Sequence, residues 1–171
     1  MRARRTPEPA ASAPPPVSIA RSPIDRLSLS VATLFGIGHS PVAPGTMGSL
    51  AAIPIAALLS LTPNVVSLGV TVSMTPIAML AAHRAGKQLG EPDSSAIVVD
   101  ELVGMLMTLA ALPWSLQTAA LGFALFRLFD VLKPWPASHF DKRWKNGAGV
   151  VLDDVAAGLW ARVVLGYVAL S

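Results

Sequence analysis

Five carboxylates lie at the edges of apolar segments in this chain: Asp100, Glu101, Asp130, Asp153 and Asp154. Four of them form adjacent pairs at predicted helix starts, where acids can simply cap the helix and complement its dipole, and this alternative stays open for each pair. Helix capping explains Asp130 poorly, because a negative charge late in a helix is unfavourable. Five acids at one end of a bundle would repel one another unless a cation lay between them. Magnesium takes oxygen ligands of this kind, so the acids predict a divalent-metal site.

Two further blocks could bind a phosphate group. In "FRLFDVLKPWP", Arg127 and Lys133 each lie three residues from Asp130, and a cation beside a carboxylate can contact phosphate oxygens. The segment "GTMGS" leads into a predicted helix, where free backbone N–H groups bind anions. Its candidate contacts are Gly45, Thr46, Gly48 and Ser49. The alternatives are two intrahelical ion pairs for the first block and an ordinary capped turn for the second.

Residue counts argue against several other kinds of site. The chain has no Cys, which excludes thiolate chemistry and disulfides. It has three His and no HExxH pair, which disfavours a zinc site. The net charge of +3 is not arranged as a basic stripe with interleaved aromatic residues, so we expect no nucleic-acid binding. No feature of the sequence indicates a protein partner.

The composition indicates one helical domain that associates with a membrane. Of the 171 residues, 53% are apolar and 13% are charged, and no Asp, Glu, Lys or Arg occurs in 27–82 or 102–126. Leu, Ala and Met are plentiful and no alternating pattern persists, which favours helices. We therefore expect a compact all-α bundle of about six to seven helices over 24–171. A very apolar soluble bundle is the alternative, because runs 50–61 and 102–112 fall short of the roughly 20 residues of a membrane span.

The basic segment 1–23, which is rich in Pro, Ala and Arg, is predicted to be a disordered tail. Beyond it, a Gly/Pro loop is expected at 36–49, and Gly147 and Gly149 should break the chain before the last helix. The predicted helices are 24–35, 50–61, 64–89, 96–111, 115–132, a short one from Pro136 toward Arg143, and 150–169.

The helix order should place the charged residues at one end of the bundle. A short connection at 112–114 predicts a helical hairpin. The start of its first helix, with Asp100, and the end of its second, with Asp130, then lie side by side. The last helix should enter from the same end, which brings Asp154 to the same place.

Three blocks in this order and spacing resemble the phosphatidylglycerophosphatase A family: "PVAPGTMGSL", "IVVDELVGM" and "FRLFDVLKPWP…FDKRW…GAGVVLDDVAAG". The resemblance runs from about Phe35 to Ala161. It implies an all-helical, magnesium-dependent lipid phosphatase of the bacterial inner membrane, active in phospholipid biosynthesis. The implied reaction removes the terminal phosphate of phosphatidylglycerophosphate, a phospholipid substrate, and leaves phosphatidylglycerol.

The resemblance also implies roles for the candidate residues. Asp154 or Asp100 would act as the general base. The segment from Gly45 to Ser49 would hold the phosphate together with Arg127 and Lys133. The metal ligands would come from Asp100, Glu101, Asp130, Asp153 and Asp154.

The distribution of basic residues predicts the sidedness of the site. Basic residues occur in the tail and beside the five acids, and basic residues favour the cytoplasmic side of a membrane. The site should therefore face the cytoplasm. The alternative function is a non-enzymatic small membrane protein, such as a transporter subunit or a binding module, that uses the acids for cations. The acids lie at helix ends and not at mid-span, which argues against it.

Overall fold

Seven α-helices form the described part of the chain, residues 22–170, in a computed structural model of the protein. No strand occurs among these residues, so the expectation of an all-α fold is confirmed. The predicted tail lies outside the described residues except for its last two positions. A short 3-10 helix, Ile37–His39, separates the first two α-helices. The α-helices are α1 Pro23–Ala32, α2 Pro44–Leu59, α3 Asn64–Leu89, α4 Val99–Leu109, α5 Leu116–Leu132, α6 Ala137–Arg143 and α7 Gly147–Leu170.

Helix α4 lies at the centre of the bundle. Ten of its eleven residues are buried, and it packs against α2, α3, α5 and α7. One of its faces joins a cluster with Phe126 of α5 and Leu165 of α7. Another face, with Val99 and Val103, joins a cluster of alanines from α3. Because most of α4 is removed from water, its two acidic residues are carried into a largely apolar interior.

Helices α4 and α7 approach each other closely at two glycines. A Cβ on Gly104 would lie 2.7 Å from the Asp154 carbonyl oxygen and 2.6 Å from the Phe126 ring, and a Cβ on Gly158 would overlap the Gly104 carbonyl. The buried Thr108 hydroxyl lies 3.0 Å from the Gly104 carbonyl oxygen and 3.3 Å from that of Gly158, and it can donate to both. The absence of side chains at both glycines therefore sets the distance between the two helices.

Helix α2 begins six residues earlier than expected, at Pro44 instead of residue 50. Proline suits the first helical position, because its missing N–H would have no partner there and its φ angle is already helical. The preceding residue, Ala43, is left-handed with φ 45°. Residues 44–49, the last part of the Gly/Pro loop predicted at 36–49, are therefore about the first turn and a half of a helix.

The last helix also begins earlier than expected, at Gly147 instead of residue 150. The Asn146 carboxamide oxygen caps it by accepting hydrogen bonds from the backbone N–H groups of Ala148 and Gly149. A Cβ on Gly147 would overlap the backbone of His83, and one on Gly149 would overlap the Trp144 carbonyl. These glycines therefore permit close packing and do not end the helix, so our prediction of a break there is wrong.

Large apolar side chains remain exposed on α2, α3, α5 and α7. Within residues 22–170, only α3 is both long and apolar enough to cross a membrane, and this criterion rests on length and composition alone. In the most apolar stretch of α3, 28% of the residues are buried in the bundle. These features are compatible with membrane association, which stays a prediction.

We predict that Gly104→Ala destabilises the fold, because the added methyl group would press on the Phe126 ring and the Asp154 backbone. Overpacking of this kind lowers the free energy of unfolding by about 1–3 kcal/mol. Denaturant unfolding in detergent, followed by tryptophan fluorescence, measures the change. Gly69→Ala is the matched control, since a Cβ there meets nothing within 4 Å. Equal stabilities of the two variants would contradict the close crossing.

Candidate metal and phosphate site

Three carboxylates from two helices meet at the charged end of the bundle. Asp100 and Glu101 lie in the first turn of α4, and Asp154 lies in α7. One carboxylate oxygen from each lies within 4.8 Å of the others. Asp100 and Asp154 are buried and Glu101 is half-buried. We call these three residues the acid trio.

Each carboxylate of the acid trio has an oxygen without a hydrogen-bond partner in the described part of the chain. These buried atoms are Asp100 Oδ1, Glu101 Oε2 and Asp154 Oδ2. A buried polar atom without a partner is costly, and several together point to an unseen ligand or proton. Convergent carboxylate oxygens are the ligands of a hard divalent cation. The trio therefore fits magnesium.

Burial and mutual repulsion make the acid trio hard to ionise. Burial raises the pKa of Asp100 well above its usual range, and the charges of Glu101 and Asp154 raise it further. The pKa of Asp154 is likewise well above its usual range, because of burial and then the charges of Glu101 and Asp130. Burial also raises the pKa of Glu101. A cation among these carboxylates would offset both effects and favour their ionised forms.

The start of α2 and the end of α5 close the site around Glu101. A Cβ on Gly45 would overlap Glu101 Oε1 and would lie 3.5 Å from Arg127 Nη1. Glycine is thus needed at this position for the carboxylate and guanidinium to reach their places. Arg127 Nη1 and Asp130 Oδ2 form an ion pair at 2.8 Å, and this nitrogen has no hydrogen-bond partner among the described residues. The predicted hairpin is confirmed, because α4 packs against α5 and the charges of Asp130 and Arg127 act on Glu101.

Asp153 is not a member of the trio, although it is adjacent in sequence to Asp154. Its Oδ2 accepts a hydrogen bond of 2.6 Å from Lys133 Nζ, which also donates one of 2.8 Å to Asp141 Oδ1. Asp153 Oδ1 accepts from the backbone N–H of Asp154 at 3.0 Å. The expectation of five clustered acids is therefore only partly met. Lys133 holds Asp153, and Arg127 holds Asp130.

The Lys133 ammonium remains charged in this arrangement. Its burial lowers its pKa, but the hydrogen bonds to Asp141 and Asp153 outweigh burial, so the pKa is raised above its usual range. Burial raises the pKa of Asp153 to about 6, although the hydrogen bond and charge of Lys133 lower it. Both groups are consequently ionised at neutral pH. Lys133 is neutralised by two carboxylates and is not free to act as a simple phosphate contact.

The expected phosphate-binding segment, Gly45 to Ser49, divides into two parts. Gly45 and Thr46 are half-buried in the first turn of α2, where backbone N–H groups lack intrahelical partners. Gly48 is buried against α4, because a Cβ there would lie 2.8 Å from the Val98 carbonyl oxygen. Ser49 is fully buried and its hydroxyl donates to the Gly45 carbonyl. Gly48 and Ser49, which we expected to contact phosphate, instead pack inside the bundle.

Sequence reasoning missed residues that shape the site from outside it. Asp141 is the second partner of Lys133. Gly104 and Gly158 set the helix crossing, and each follows a trio acid by four residues in "DELVG" and "DVAAG". That repeated spacing was a usable signal, since residues four apart share one helix face.

A protein-family model described as "Phosphatidylglycerophosphatase A" matches residues 30–169. This match covers most of the chain and includes the whole acid trio. The chain belongs to the phosphatidylglycerophosphatase A family. Membership makes it an enzyme, a phosphoric monoester hydrolase, as the resemblance implied. The alternative of a non-enzymatic membrane protein is not supported.

Similar proteins carry lipid-phosphatase names. The chain is 42% identical to a phosphatidylglycerophosphatase A of Escherichia coli over 78% of each chain. It is 38% identical to one of Haemophilus influenzae, over 84% of this chain and 93% of that protein. A protein of Bacteroides thetaiotaomicron named putative phosphatidylinositol-3-phosphatase is also 38% identical, over 81% of this chain and 91% of its own length. No solved structure matches the chain.

We predict a pH effect on stability that depends on Asp100. Its pKa is raised on folding from the usual 3.8, so its contribution is fully present below about pH 4 and is lost as the pH rises through the folded value. With a chelator present, wild type should therefore lose stability relative to Asp100→Asn between pH 4 and neutrality. Chemical unfolding across this range measures the difference. If the free energy of unfolding of wild type relative to Asp100→Asn stayed constant or increased over this pH range, the burial of an unpaired carboxyl would be contradicted.

Proposed function

We propose that this protein hydrolyses the terminal phosphomonoester of phosphatidylglycerophosphate to phosphatidylglycerol and inorganic phosphate, as a step of bacterial phospholipid biosynthesis. The names of the Escherichia coli and Haemophilus influenzae relatives support this substrate. The structural observation that carries the proposal is the acid trio with its three partnerless oxygens, next to the guanidinium of Arg127.

Magnesium is the proposed cofactor, and Asp100, Glu101 and Asp154 are the residues that would hold it. When bound, the ion neutralises phosphate charge and lowers the pKa of a water molecule. Asp130 and Asp153, which we expected among the ligands, contribute through their ion pairs instead. They hold Arg127 and Lys133 beside the trio.

The remaining steps use side chains and backbone groups of this chain. Arg127 and the backbone N–H groups of Gly45 and Thr46 bind the phosphate oxygens. Asp154 or Asp100 accepts a proton from the attacking water as the bond from phosphorus to the glycerol oxygen breaks. The same carboxyl then returns the proton to the leaving oxygen. The Lys133 ion pairs orient Asp153, and Asp153 in turn accepts a hydrogen bond from the backbone N–H of Asp154.

The site is proposed to lie at the inner surface of the bacterial inner membrane, facing the cytoplasm. Exposed apolar side chains surround the end of α5 beside Asp130, namely Val131, Leu132 and Trp135. Such a rim could enter the headgroup region while the acids remain accessible to water. The acyl chains of the substrate would then hold its phosphate at the level of the site.

We predict that Asp154→Asn abolishes phosphate release from phosphatidylglycerophosphate, while the protein keeps its fold. The substitution preserves shape but removes one anionic ligand and one candidate base. Phosphate release from mixed micelles measures this, and a chelator should abolish wild-type activity in the same assay. Asp93→Asn is the matched control, since Asp93 is exposed and outside the trio. Near-normal turnover of Asp154→Asn would require the metal site to be redrawn.

We predict that the acidic end of the bundle faces the cytoplasm. The chain has no Cys, so a single Arg143→Cys substitution at an exposed position gives one labelling site. A membrane-impermeant thiol reagent should label inverted vesicles and leave intact spheroplasts unlabelled. Labelling of intact spheroplasts from the outside would overturn this topology.

A further inference from the structure

A cavity of about 310 Å³ lies between the end of α3 and the start of α7, apart from the acid trio. His83 and Lys87 line it from α3, and Lys145 lines it from the connection between α6 and α7. No acidic side chain is among its lining residues. The others are Gly86, Gly90, Pro92, Asn146 and Gly147.

The two lysines of this cavity form no close ion pair in the described part of the chain. Arg84, Arg127 and Lys133 each contact a carboxylate directly, whereas Lys87 and Lys145 contact none in the described range. The pKa of Asp141 is lowered by its hydrogen bond from Lys133 and, at longer range, by the charge of Lys145. Both lysines are exposed, and His83 is half-buried beside them. Two ammonium groups around one volume repel each other unless an anion lies between them. The charge of this cavity is therefore complementary to an anion.

The neighbouring cavity provides a contrast in charge. It measures about 370 Å³, shares Pro92 and Lys145 with the first, and is lined by four carboxylates. These are Glu91, Asp93, Asp141 and Asp153. An anion that approaches this side of the bundle is thus repelled from one cavity and attracted to the other.

The walls of the cationic cavity are fixed by close backbone packing. A Cβ on Gly86 would lie 2.9 Å from Pro92 Cα and 3.1 Å from the Glu91 carbonyl oxygen. A Cβ on Gly147 would overlap the backbone of His83. The backbone that borders the cavity is consequently held in place by helix packing, whereas its two lysine side chains are exposed.

We propose that this cavity binds a phosphate group, either in the headgroup of an anionic phospholipid or as free inorganic phosphate. Lysine binds phosphate as a point charge, and two lysines with a histidine match a group that carries up to two negative charges. The site is distinct from the acid trio, where anions need a metal or Arg127. Because the cavity joins α3 to α7, its ligand stabilises the helix that carries Asp154.

The test measures thermal unfolding of the full chain in nanodiscs, with a chelator present and tryptophan fluorescence as the readout. One arm adds inorganic phosphate at millimolar concentration to protein in phosphatidylcholine discs, against potassium chloride of equal ionic strength. The other arm compares phosphatidylglycerol-containing discs with phosphatidylcholine discs and adds no phosphate. A ligand that binds only the folded state near saturation should raise the unfolding temperature by about 2–4 °C.

Three variants assign the effect to the cavity. The double substitution Lys87→Gln/Lys145→Gln should lose the rise, and Lys87→Arg/Lys145→Arg should keep it. Lys142→Gln is the matched control for loss of charge, because Lys142 is exposed on α6 and does not line the cavity. A rise in the first arm identifies free phosphate as a ligand, and a rise in the second identifies a lipid headgroup.

The absence of a rise in wild type in both arms would overturn the proposal. So would a rise that survives in the double glutamine variant, or one that Lys142→Gln loses equally. The readout is independent of hydrolysis, so its outcome does not depend on the proposed enzyme activity.

Discussion

The close approach of α4 and α7 is the constraint on which the site depends. Gly104 and Gly158 allow the two backbones to meet, and Thr108 is placed to bond to both glycine carbonyls. Asp100 and Asp154 each precede one of these glycines by four residues, so they lie one turn toward the charged end on the contacting faces. The crossing that packs the core therefore also brings the two buried acids together.

The three carboxylates of the acid trio lower the stability of the fold when no cation lies between them. Three carboxylates with partnerless oxygens lie at the end of a helix that is otherwise apolar and buried. Without a cation, such a group is stabilised only by taking up protons, which is why burial dominates the raised pKa values. The surrounding core of α4 has to offset that cost. A cation at this site would meet acids that the fold already holds in place.

The basic side chains at this end of the molecule form two groups, one in close ion pairs with carboxylates and one without such pairs. Arg127 and Lys133 are held by carboxylates close to the trio, and this fixes their positions. Lys87 and Lys145 line a cavity without acids and form no close ion pair among residues 22–170, although Lys145 also borders the neighbouring acidic cavity. Arg127 and Lys133 contribute positive charge next to the acid trio, whereas Lys87 and Lys145 remain available to attract an anion.

The sequence by itself determined the helical class, the hairpin and the gathering of acids at one end, because these follow from apolar runs, short connections and charge placement. It did not determine which acids converge. Asp153 and Asp154 are neighbours in sequence, yet their side chains leave the helix about 100° apart, so one joins the trio and the other meets Lys133. The sequence also did not reveal that Gly147 and Gly149 lie inside a helix, because glycine has a low helix propensity and so predicts a helix end. Only the tertiary structure decides this, since the space beside a glycine is set by helices distant in sequence.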